Sequence, residues 1–103
     1  MHPLIQKHRN EIAEICAKYQ VRKLEVFGSA ARGADFDPQH SDADFLVEFA
    51  GRGKLGPLEQ YFGLRDALSS AIGRDVDLVE AKAVRNPYVL KQIELERELV
   101  FNA

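Results

Sequence analysis

Apolar positions along the chain change their period several times, and each change marks an element. From Pro3 to Gln20 they recur at helical spacing, at Ile5, Ile12, Ile15, Cys16 and Tyr19, with charged residues between them, which predicts an amphipathic helix. "LEVFGS" follows as a short strand broken at Gly28, and "AARG" suits the first turn of a helix. The polar, proline-containing "ADFDPQHSD" reads as a loop. "ADFLVEF" alternates and is rich in aromatic and branched residues, so it predicts a strand. A glycine-rich connection, "AGRGKLGP", leads to a second amphipathic helix over Leu58 to Ile72, with Leu58, Tyr61, Leu64, Leu68, Ala71 and Ile72 on its inner side and Gly73 as its stop. "DVDLVE" predicts a third strand. Asn86 and Pro87 form an N-cap and first-turn pair for a last helix to about Arg97, and "ELVF" is either its final turn or a short strand. Helices alternating with strands imply an α/β layer, a small mixed β-sheet of three to four strands with helices packed on it.

Composition narrows the class of molecule. A length of 103 residues suits one domain with one core, residues 1–103. Apolar content of 46% and charged content of 29% describe an ordinary globular chain rather than a disordered one. A net charge of -2 gives no electrostatic case for nucleic acid as partner. The one cysteine, Cys16, excludes an internal disulfide, fits a reducing compartment, and lies on the apolar stripe of the first helix, where a thiol packs as a small hydrophobe. Neither an N-terminal apolar run of signal-peptide length nor a membrane-spanning stretch is visible, so a cytoplasmic setting is expected.

The carboxylates carry the chemistry. Asp42 and Asp44 are two apart on the second strand, so they share a face, with Cα atoms about 6.5 Å apart. Ala43, Phe45, Val47 and Phe49 take the opposite, buried face. Two like charges at one strand end repel, and a hard divalent cation such as Mg²⁺, which prefers carboxylates together with substrate phosphates, would remove that repulsion. Taken alone, Asp-x-Asp is more often a turn, a cap or a surface pair than a metal site. A strand ending in Gly28-Ser29 and opening a helix adds backbone N–H groups and a hydroxyl suited to a phosphate. In "GRDVDLVE", Asp75 and Asp77 alternate onto one face, and either could supply a third carboxylate; Asp75, beside Arg74, also reads as a turn residue. Arg32 stands one helical turn after Gly-Ser and suits a phosphate, a site carboxylate or a plain surface ion pair. Arg52 and Lys54 fit a solvated loop, His2, His8 and His40 have no metal-ligand spacing, and "KQIELERE" fits a solvated helix face.

Taken together, "GSAARG", "SDADFLVEF" and "VDLVE" resemble the minimal nucleotidyltransferases, the smallest members of the DNA polymerase beta-like superfamily, over nearly the whole chain. The resemblance implies the polymerase beta-like nucleotidyltransferase fold, with Ser29 (beside Gly28) on the triphosphate of ATP, Asp42 and Asp44 on Mg²⁺, and Asp77 as the third carboxylate. Twelve residues separate Ser29 from Asp42, slightly more than the usual family spacer, and the extra length falls in "ADFDPQH". By the same resemblance the chain is the antitoxin of a HEPN-domain ribonuclease toxin, in a hetero-oligomer, and transfers AMP from ATP to a tyrosine of that toxin. Two alternatives stand beside it: a non-catalytic antitoxin that neutralises by covering its partner, and nucleotidyl transfer to a small molecule such as an aminoglycoside. The intact carboxylates speak against the first, and the absence of an acceptor-binding domain against the second.

Overall fold

A computed structural model describes residues 3–28, 43–50 and 55–103. Its elements run α1 (Pro3–Lys7), α2 (Arg9–Lys18), β1 (Val21–Phe27), β2 (Ala43–Phe49), α3 (Pro57–Ile72), β3 (Val76–Glu80), a 3₁₀ turn (Ala81–Ala83), α4 (Pro87–Glu96) and β4 (Glu98–Asn102). The first predicted helix is thus two helices, interrupted at His8 (φ -99°, ψ 12°). Glu11, in the first turn of α2, contacts His8 Nδ1 at 3.3 Å and places negative charge at the positive end of the new helix. His8 itself is half-buried. Gln20 then turns the chain at φ 60° into β1, which begins three residues before the predicted "LEVF". "ELVF" resolves as strand, pairing with β1.

The four strands form one mixed sheet in the order β3-β2-β1-β4, antiparallel throughout except for the parallel pair β2–β3 joined across α3. One face carries the core. Leu24 and Val26 of β1, Ala43, Phe45 and Val47 of β2, Leu78 of β3 and Val100 of β4 meet Ile5, Ile12 and Cys16 from α1 and α2 and Leu64, Leu68 and Ile72 from α3. Leu58 does not join this layer and is 73% exposed. At about 100° per residue it lies well to one side of the stripe made by Tyr61, Leu64, Leu68 and Ile72. Gly73 closes α3 in the left-handed conformation (φ 68°), its N–H donating to the Ser69 carbonyl. Asn86 caps α4 by accepting from the Tyr88 N–H at 2.9 Å.

The opposite face is set by alternation: Glu25 and Phe27 from β1, Asp44 and Leu46 from β2, Asp77 and Val79 from β3. Leu46 and Glu25 are buried there (each 7% exposed), so this face is partly covered. Arg97, at the end of α4, reaches Glu25 at 3.5 Å, and Lys23 reaches it from β1 at the same distance. The end of α4 therefore lies against the outer face over β1. Among the described residues, no helix is long and apolar enough to cross a membrane.

Candidate functional site

Strand register decides which carboxylates meet. Asp44 pairs directly with Asp77 across the parallel β2–β3 ladder, so their Cα atoms are about 4.8 Å apart and both side chains leave the same face. That separation is well within what two ligands of one cation allow. On the other side of β2, Phe27 pairs with Asp44, and Gly28 follows at the end of β1 with φ 68°, a conformation glycine adopts without strain. Three strand positions thus converge at one end of the sheet: the end of β1, the start of β2 and the start of β3. Asp77 is exposed and Asp44 half-buried. At water-like dielectric two full charges about 5 Å apart repel by only ~0.8 kcal/mol, a cost the fold can carry without a cation.

Asp75 stands just outside β3 and is exposed. Its backbone carbonyl accepts from the Ala43 N–H at 3.0 Å, which ties the entrance of β3 to the residue between Asp42 and Asp44. It lines a shallow depression of about 220 Å³ with Ser69, Ser70, Gly73 and Arg74, beside the carboxylate end of the sheet. The Ser69 hydroxyl donates to the Arg74 carbonyl at 2.6 Å and holds that turn. Of the two carboxylates that the pattern left open, register puts Asp77 directly beside Asp44, and Asp75 lies before the strand. Ser29 and Asp42, together with Arg32, His2, His40, Arg52, Lys54 and the "AARG" turn, lie outside the described residues. Among the described residues, no three His, Cys, Asp or Glu form a metal cluster. Asp44 and Asp77 supply two oxygen donors to which Asp42, two positions before Asp44, would add a third. That donor set, all carboxylate, fits a hard cation such as Mg²⁺.

Phe27 was not singled out by pattern, although its place opposite Asp44 follows once β1 and β2 are paired. Cys16 takes no part in the site: it is fully buried in the helical layer, and burial pushes its thiol up to about 12.

A family model described as a nucleotidyltransferase domain matches residues 9–100. A solved structure described as a candidate minimal nucleotidyltransferase superposes with a TM-score of 0.73 at 31% identity, covering 95% of each chain. The chain belongs to the minimal nucleotidyltransferases. Among the relatives of this minimal nucleotidyltransferase is a Methanocaldococcus jannaschii chain named as a candidate protein adenylyltransferase, 38% identical over 91 residues, which are 88% of this chain and 85% of that one. Protein adenylyltransferase MntA of Thermococcus cleftensis is 30% identical over 83 residues, covering 81% and 76%. The fold also matches a chain from the complex of a tri-AMPylated Shewanella oneidensis HEPN toxin with its MNT antitoxin (TM-score 0.65, 21% identity, 96% of this chain and 73% of that chain).

Proposed function

We propose that this minimal nucleotidyltransferase transfers AMP from ATP to a hydroxyl, a tyrosine by preference, of a HEPN-type toxin, and thereby acts as its antitoxin. The observation that carries the reading is the in-register pair Asp44–Asp77 beside the Gly28 turn. Homology to protein adenylyltransferase MntA and likeness in fold to a chain from a complex that holds an AMPylated HEPN toxin support the choice of nucleotide and acceptor. Gly28 and Ser29 would receive the triphosphate, the backbone N–H groups and the hydroxyl donating to phosphate oxygens at the end of β1. The acceptor oxygen attacks the α-phosphorus in line, the bond to the β-phosphate oxygen breaks, and pyrophosphate leaves. Asp77, which is exposed, would take the proton released by the attacking hydroxyl. Asp42, Asp44 and Asp77 would hold Mg²⁺, which when bound supplies charge neutralisation and alignment of the phosphates. A cytoplasmic setting suits a reaction that consumes ATP.

The test is incubation of the protein with ATP, Mg²⁺ and the HEPN-type protein encoded beside it, followed by intact mass of both. Addition of whole AMP units to the partner is expected. Neutralisation of the partner's ribonuclease activity with its mass unchanged would replace catalysis by simple covering.

A further inference from the structure

The Gly-Ser turn reads as a place for phosphate, but its glycine also touches a carboxylate. A Cβ built on Gly28 would stand 2.7 Å from Asp44 Oδ2, 3.6 Å from its Cγ and 3.8 Å from its Cβ. Real Cβ atoms essentially never come within 3.0 Å of such a neighbour, so the missing side chain of Gly28 is the space the Asp44 carboxylate occupies. Asp44 can yield only by turning its carboxylate, the far end of the side chain. Its backbone is held on both sides, antiparallel to β1 and parallel to β3, and Asp77, of like charge, stands directly beside it on β3.

We propose that Gly28 is a positioning residue for Asp44: its bare Cα forms the wall against which the carboxylate rests, and so sets the direction in which Asp44 presents its oxygens to a cation. The inference rests on the reading of Asp44 as a metal ligand. It gives the glycine a role separate from phosphate approach, because the contact exists within the protein alone. A Cβ at position 28 pushes the Asp44 carboxylate off β1, towards the β3 side where Asp77 stands, and so changes the direction of its oxygens.

Gly28 also sits at φ 68°, where an L side chain is strained whatever its neighbours, so a single substitution does not separate backbone strain from the carboxylate contact. A double-mutant cycle does. Strain at Gly28→Ala is the same with Asp44 or with Asp44→Ala and cancels, leaving the contact. Thermal and urea unfolding of the four proteins is expected to show Gly28→Ala raising the unfolding constant about fivefold more with Asp44 in place than in the Asp44→Ala background. Equal effects in both backgrounds would overturn the inference. The second readout is Mn²⁺ binding in the presence of a non-hydrolysable ATP analogue, followed by electron paramagnetic resonance. Gly28→Ala is expected to weaken Mn²⁺ about tenfold, as loss of a group that orients a ligand does, and to weaken the analogue in EDTA by clearly less. Loss of analogue binding in EDTA, with Mn²⁺ affinity intact, would put the glycine's role at the phosphate and refute positioning. Coupling in the unfolding cycle without any Mn²⁺ binding by the wild type would instead refute the metal reading on which the inference rests.

Discussion

Gly63 lies inside α3, where alanine is normally the better residue by about 0.8–1.0 kcal/mol. Here the sign should reverse. A Cβ on Gly63 would stand 2.4 Å from Tyr19 Cε1, 3.0 Å from Cζ and 3.2 Å from Cδ1, so it would enter the edge of the ring. Tyr19 is held at the end of α2. Its N–H donates to the Ile15 carbonyl at 3.1 Å, and its own carbonyl accepts from Gln60 Nε2 at 3.0 Å, one turn before Gly63 on the same helix. Only the ring can yield, or the two helices must part. Overpacking of this kind costs roughly 1–3 kcal/mol, which equals or exceeds the helix gain. Gly63→Ala should therefore change stability by between about 0 and -2 kcal/mol, at ~4–8 °C of melting temperature per kcal/mol for a domain near this size. Thermal unfolding followed by circular dichroism reads it. In a Tyr19→Ala background the clash is gone, and the same substitution should stabilise. A rise of 4 °C or more for Gly63→Ala with Tyr19 intact would refute the close approach of α2 and α3.

Three further outcomes follow from the same geometry. Asn86→Ala removes the cap of α4 and should cost about 1 kcal/mol, visible as faster hydrogen exchange at the Tyr88 amide and its neighbours. Cys16 should resist a thiol reagent at pH 8 until the protein is unfolded. Its folded value of about 12 lies above the ordinary 9.0, so between those values the unfolded chain loses the proton first, and stability should fall as pH rises from about 9 towards 12. A Cys16→Ala variant, measured over the same range in urea, should lose this part of the slope. Mg²⁺ should bind more tightly with ATP than without it, since the cation prefers phosphate oxygens among its ligands; equal affinities by calorimetry would count against the site.

Where periodicity is unbroken, elements were legible to the residue. "ADFLVEF" is β2 from its first residue to its last, because branched and aromatic residues recur on its core face and a polar, proline-containing sequence precedes it. β1 was read short because a bulge between Val21 and Lys23 puts Val21 and Leu24 on the core side, which breaks period two. The ambiguity of "ELVF" needed a partner strand to settle it, since four residues fit a turn of helix or a strand equally. Leu58 was placed inside because spacing gives a stripe but not its width. At the site, the face shared by Asp44 and Asp77 follows from alternation, whereas their pairing depends on the register of two strands joined through a whole helix. The contact of Gly28 with Asp44 had no signal beyond the glycine itself, because it depends on where two strand ends meet in space.

The most direct measurement compares wild type with the Asp42→Asn, Asp44→Asn double variant in one assay. Each is incubated with ATP, Mg²⁺ and the partner HEPN-type ribonuclease, and residual ribonuclease activity and partner mass are read together, with thermal melting as the folding control. Nucleotidyl transfer requires that wild type silence the ribonuclease while adding AMP to it, and that the double variant fold normally and do neither. Full neutralisation by a well-folded double variant, or by wild type with no nucleotide present, would contradict it.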